Sequence, residues 1–117
     1  MAGVSWPKRG ELFWAGLDPT VGAEIAKMRP ALVISNDLGN QYSPLVTVAP
    51  LTSAGDQRAY PTEVRVLQAE GGVPRASTVL LNQIRTIDKR RLGGRIGALP
   101  AARMLQVDAA IRLSLAV

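Results

Sequence analysis

The sequence predicts a small, mainly β (α+β) domain: a twisted antiparallel sheet curled into a barrel, with one helix at its C-terminal end. Three observations predict it. Short runs rich in Val, Ile and Leu recur at close intervals, the spacing of antiparallel strands. Segments rich in Gly, Pro, Asn and Asp separate them, and each of these residue types favours a turn. The last stretch is different, with apolar residues at helical spacing.

Taken in order, GELFWAGL from Gly10 has strand composition and ends at the turn-forming DPT. PALVIS is a short apolar run of strand length, and NDLGNQYSP is a connection with room for one helical turn. In LVTVAPLT, the period of two puts Val46, Val48, Pro50 and Thr52 on one face. A proline there predicts the edge or end of a strand. TEVRVL alternates, with Thr62, Val64 and Val66 on one side and Glu63 and Arg65 on the other. After the turn-rich EGGVPRAS, STVLLNQIRTID reads as one long strand and KRRLGGRIGAL as a basic turn and a short strand. Pro100 then opens a helix, because its missing N–H is no loss in the first turn. Met104, Val107, Ile111 and Leu115 form the apolar side, and Asp108 and Arg112 an i,i+4 pair on the polar side.

A chain of 117 residues suits one domain spanning 1–117 with one modest core. No apolar run approaches the roughly 20 residues that span a bilayer, and MAGVSWPKRGELFW lacks the apolar centre of a secretory signal. A cytoplasmic location without membrane association is the expectation. The chain has no cysteine and no histidine, which excludes disulfides, thiol catalysis, thiolate or imidazole metal ligands and imidazole acid–base chemistry. Five Asp and four Glu are scattered, without an oxygen-rich loop. Chemistry without metal or cofactor, using Arg, Lys, Asp, Glu, Ser, Thr or Tyr, is expected. Fourteen Lys+Arg against nine Asp+Glu leave a net charge of +5, and eleven of the cations are arginine. That balance suits a polyanionic partner, although it also suits an ordinary soluble surface.

Three constellations can carry chemistry. GAEIAKMRP brings Glu24, Lys27 and Arg29 close in sequence, with Gly22 free to adopt positive φ or pass near a ligand. Pro30 and the strand behind it give Arg29 a stiff base; the bland alternative is a solvated loop. In APLTS, the Thr52 and Ser53 hydroxyls end an apolar strand, where they can bond a phosphate oxygen or simply complete a turn. LNQIRTIDKRR offers Asn82, Gln83 and Arg85 to base edges and phosphates of RNA, or else forms a polar strand face.

GELFWAGLDPTVGAEIAKMRPALVISND, VAPLTS, PTEV and LLNQIRTIDKRRL, in this order, resemble the MazF/PemK toxins of type II toxin–antitoxin systems, from about Arg9 to Leu115. The resemblance implies an SH3-like (CcdB-type) twisted barrel that forms a homodimer. It also implies a sequence-selective, metal-independent endoribonuclease acting on single-stranded RNA such as mRNA, leaving 2′,3′-cyclic phosphate and 5′-hydroxyl ends. A cognate MazE-like antitoxin would inhibit it by laying an acidic segment over the RNA site. Carried over by motif, Arg29 and Thr52 are the positions used in catalysis, and Glu24 is an acidic position that contributes in some members. Ala23 stands where many relatives have serine, and Asn82 where one branch has an aspartate base. Two other readings compete: a toxin of the same fold that binds a protein such as DNA gyrase, and a passive RNA-binding barrel.

Overall fold

The computed structural model describes residues 5–18, 21–22, 27–53 and 60–117. Within them the elements run β1 (Glu11–Gly16), β2 (Met28–Val33), α1 (Asp37–Tyr42), β3 (Leu45–Ser53), β4 (Glu63–Val66), β5 (Ser77–Leu80), β6 (Arg85–Asp88), β7 (Leu92–Ala98) and α2 (Ala101–Leu115). Single 3₁₀ turns lie at Glu70–Gly72 and Lys89–Arg91. The strands form one seven-stranded sheet in the order β4-β5-β3-β2-β1-β7, with β6 also on β3, and every pairing is antiparallel. The predicted fold class is the one observed, with one refinement: no ladder joins β4 to β7. Instead the Glu70–Gly72 turn seats on β7, where a Cβ on Gly97 would lie 2.1 Å from the Gly71 carbonyl oxygen. The curl is bridged by a turn rather than closed by hydrogen-bonded strands.

β3 organises the sheet. Its alternate residues feed two apolar clusters, Ala49 and Leu51 on one face and Val46 and Val48 on the other. The first cluster is covered by α2 through Val107 and Ala110; the second includes Ala15, Ala31, Val33 and Ile87. Burying a Val, Leu or Ile is worth roughly 1.5–3 kcal/mol relative to exposure, so β3 is held from both sides. Its own edges are shared as well. β2 pairs along one edge, while β6 takes Leu45–Val48 and β5 takes Leu51–Ser53 on the other.

That division corrects two expectations. The run 77–88 is not one strand: Val79 pairs with Leu51 and Arg85 with Val48, so six steps along one chain oppose three along the other. The excess is taken up by a turn in which the Gln83 N–H donates to the Leu80 carbonyl at 3.0 Å. Pro50 marks neither an edge nor an end. It lies inside β3 opposite that break, where β6 has stopped pairing and β5 has not begun, so on that edge no ladder bond needs its missing N–H.

The helical turn expected in NDLGNQYSP is α1, capped by the Asn36 side chain accepting from the Gly39 N–H at 2.7 Å. The C-terminal helix is α2, with Pro100 as its N-cap rather than its first residue. Val107 is fully buried, with Met104 and Ile111 packed against the first cluster. Leu115 is exposed instead, and Ser114 faces inward, its Oγ donating to the Leu81 carbonyl at 2.7 Å. Asp108 pairs not with Arg112 but with Arg9 at 2.8 Å. Arg9 is the better placed partner, because its Nε also donates to the Ile34 carbonyl and tethers the guanidinium beside the helix. No helix among the described residues is long and apolar enough to cross a membrane.

Arg103 of α2 binds Glu70 at 2.8 Å, tying the helix to the turn that bridges the sheet. Burial acts to raise the Glu70 pKa, but the Leu67 N–H, the Arg103 hydrogen bond and the Arg103 charge together hold it below the ordinary value. A carboxyl lowered by folding stabilises the folded state above its unfolded pKa, and that contribution is lost as pH falls through the lowered folded value. Glu70→Gln is therefore expected to melt earlier than the wild type at pH 7. The two curves should draw together below about pH 4, near the ordinary glutamate pKa. Thermal melts across pH 3–7 check this, and a gap that stays constant with pH contradicts it.

Candidate active site

β2 opens with Met28, Arg29 and Pro30 and then buries Ala31, Leu32 and Val33 completely. The proline ring fixes φ just after the arginine, and three buried residues hold the strand behind it. Arg29 itself is half-buried. Across the sheet, β3 ends in buried Leu51, half-buried Thr52 and exposed Ser53. The ladder pairs Ala31 with Pro50, Leu32 with Ala49 and Val33 with Val48. Two positions further along the same register lie Arg29 and Thr52, residues distant in sequence that the sheet sets side by side.

Both line an open groove of about 230 Å³. Its walls also include Trp14, Pro30, Ser53, Arg75 and Ser77, with no carboxylate among the described residues that line it. Two guanidiniums, three hydroxyls and an indole thus line one concavity. Guanidiniums match phosphate oxygens in bidentate geometry, hydroxyls can donate to a non-bridging oxygen, and Trp14, 38% exposed, presents a ring on which a base can stack. The arrangement is suited to holding a phosphodiester and stabilising negative charge on it.

The loop between β1 and β2 is tied at its base. The Leu17 N–H donates to the Lys27 carbonyl, and the Lys27 N–H to the Asp18 carboxylate, both at 3.1 Å. Lys27 adopts φ +69°, a left-handed turn that sends the chain into β2 two residues before Arg29. Arg85 Nη1 donates to the Leu17 carbonyl at 2.8 Å, and Arg91 Nη1 to the Gly16 and Asp18 carbonyls. Two cations that sequence reasoning would offer to solvent or RNA thus brace this base. Arg90 is pinned to Asp88 at 3.0 Å, and the hydrogen bonds from Arg90 hold the Asp88 carboxyl below its ordinary value.

The sheet therefore brings together Arg29, Thr52 and Ser53. Gly22 and Lys27 are exposed in the β1–β2 loop and are not among the groove-lining residues. Glu24 lies outside the described residues, as does Ala23. Asn82 and Gln83 occupy the turn between β5 and β6, and with Arg85 they lie away from the groove lining. Trp14 and Arg75 were missed. Trp14 looks like a core aromatic of an apolar strand, and Arg75 sits in a turn that only the β3–β5 register, Ser53↔Ser77, carries to the site.

The sequence model of the PemK-like, MazF-like toxins of type II toxin–antitoxin systems matches residues 8–115. Endoribonuclease EndoA of Bacillus subtilis (strain 168) is 44% identical over 110 residues, covering 94% of this chain and 95% of that protein. The crystal structure of MazF from Deinococcus radiodurans superposes with a TM-score of 0.83 at 31% identity, covering 97% of this chain and 100% of that one. A MazE–MazF crystal structure from the same organism matches with a TM-score of 0.74 at 28% identity, over 97% of this chain and 100% of that chain. The family match takes in both strands that build the groove and the helix that covers the first apolar cluster. This chain belongs to the PemK-like, MazF-like toxins of type II toxin–antitoxin systems.

Proposed function

We propose that this toxin is an endoribonuclease that cuts single-stranded RNA, such as mRNA, sequence-selectively in the groove between the start of β2 and the end of β3. The juxtaposition of Arg29 and Thr52 in one groove carries this reading. The reaction it supports needs no metal: the substrate's own 2′-OH attacks the adjacent phosphorus and the 5′-oxygen leaves. The products are a 2′,3′-cyclic phosphate and a 5′-hydroxyl. Such a reaction depends on positioning and on charge stabilisation.

Arg29 takes the stabilising role. A guanidinium is a delocalised, planar cation with forked N–H donors, so it meets accumulating phosphoryl charge better than it shuttles protons. Thr52 donates to a non-bridging oxygen or orients the 2′-OH, with Ser53 beside it. Glu24 is the carboxylate this reading assigns to accept the 2′-OH proton. Gly22 and Lys27 serve the loop that approaches the RNA, while Asn82, Gln83 and Arg85 are assigned to the RNA chain beyond the groove. The MazE–MazF crystal structure supports an antitoxin partner, and this reading has an acidic segment of that partner occupy the cationic groove and block it. A homodimer belongs to the same reading.

Thr52→Ala is expected to lower kcat about 10- to 100-fold, the scale of losing one donor to a charged oxygen, with little change in melting temperature. The assay uses a long single-stranded transcript in EDTA, with DNA of the same sequence beside it. RNA cut and DNA intact is the expected pattern. RNA retained without cutting supports a binding barrel instead, and an unaltered rate in Thr52→Ala removes the threonine from the mechanism.

A further inference from the structure

We infer that Arg75 is a second phosphate-binding residue, holding the RNA phosphate next to the scissile one from the wall of the groove opposite Arg29. The inference rests on the reading of this groove as the RNA site. Its first support is position. β3 ends in the floor of the groove, with β2 along one edge and β5 along the other. Arg29 therefore enters from one side of Thr52 and Ser53, and Arg75, two residues before β5, from the other. Two strand spacings come to about 10 Å, a separation that two arginine side chains can bridge to neighbouring phosphates of one chain. The groove, at about 230 Å³, is smaller than the roughly 300–1,000 Å³ of pockets that enclose a whole small molecule. It suits a segment of a polymer passing through.

The second support is the way the backbone is fixed. Val73 is 1% exposed and Ser77 4% exposed, so both flanks of the turn are anchored. The Ser77 Oγ donates to the Arg75 carbonyl at 2.9 Å, and Pro74 stiffens the approach. Arg75 itself is exposed, so its side chain is left to solvent on a fixed backbone.

The third support is how the other arginines are used. Arg9, Arg90, Arg95 and Arg103 each hold a carboxylate, and Arg85 and Arg91 hold loop carbonyls. Arg75 has no hydrogen bond or ion pair through its side chain among the described residues, yet it lines the same groove as Arg29. A positioned guanidinium without a carboxylate partner among the described residues matches a ligand that brings its own negative charge.

The test compares wild type, Arg75→Ala and Arg75→Lys on a long single-stranded transcript over a series of salt concentrations. Arg75→Ala is expected to raise KM about tenfold, the scale of one charge-assisted hydrogen bond, with kcat within about twofold. Its log–log dependence of kcat/KM on salt should flatten by about 0.7, one phosphate contact to a single strand. Arg75→Lys should recover the salt slope and part of the KM. A folded Arg75→Ala with wild-type KM and salt slope overturns the inference and leaves the RNA reading standing, as does a loss confined to kcat. A wild type that neither binds nor cuts the transcript overturns both.

Discussion

Arg29→Ala is expected to lower kcat for RNA cleavage by about a thousandfold or more, with the protein still folded. Removing one preorganised donor from a charge-stabilising site costs about 10²–10³, and an arginine that meets phosphoryl charge is worth about 10³–10⁵. Two features place Arg29 at the upper end. It stands on a strand whose next residues, Ala31, Leu32 and Val33, are fully buried, so the backbone that carries it is held before substrate arrives. It also lines one groove with Thr52, so charge that develops on a phosphate held there meets it directly. Arg29→Lys keeps the charge but loses the planar fork, so it should lie much closer to alanine than to wild type. Single-turnover cleavage with circular dichroism on the same samples measures both quantities. A folded alanine variant that cuts at the wild-type rate removes Arg29 from the chemistry.

Gly97→Ala should have the largest effect on stability. A Cβ at this position would lie 2.1 Å from the Gly71 carbonyl oxygen and 2.8 Å from its carbon, and both are backbone atoms that no rotamer change can move. The Glu70–Gly72 turn must therefore lift off β7. That turn bridges the unpaired ends of the sheet and holds the Glu70–Arg103 link to α2. Overpacking typically costs about 1–3 kcal/mol, and backbone contact argues for the top of that range, roughly 10 °C in melting temperature for a domain of this size. Gly94→Ala is the control, because a Cβ there meets nothing within 4 Å. Equal melting temperatures for the two variants would show that the turn is not needed where it sits.

The residues differ in how much of this they disclose. Val64 and Val66 alternate with Glu63 and Arg65 because β4 buries a single face, and such a strand can be read directly. The helix at Met104, Val107 and Ile111 is legible for the same reason. β3 is harder: both of its faces are buried from Val48 to Leu51, so alternation fades and Pro50 misleads. The break within 77–88 is hidden as well, since it arises from two segments sharing one edge of β3.

The site shows the same division. Arg29 and Thr52 are each visible as polar residues at strand ends, but only the β2–β3 register sets them together. Arg85 reads as an RNA contact in a basic polar run, and its Nη1 also holds the Leu17 carbonyl, a partner the run does not announce. Asp108 has a helical partner in Arg112 by spacing and takes Arg9 instead. Long-range choices of this kind depend on which backbone groups the fold leaves unsatisfied, and local pattern carries no record of them.

The central claim is that the groove of Arg29 and Thr52 cleaves RNA by attack of the substrate's own 2′-OH. The most direct test is the chemistry of the ends produced when purified protein cuts a transcript pool in EDTA. The account predicts discrete fragments whose 5′ ends are hydroxyls, accepting label from a kinase without prior phosphatase, and whose 3′ ends carry a cyclic phosphate. A single 2′-deoxy substitution at a mapped site should abolish cutting there. Fragments with 5′-phosphate ends, or cutting that persists at the 2′-deoxy site, would contradict it.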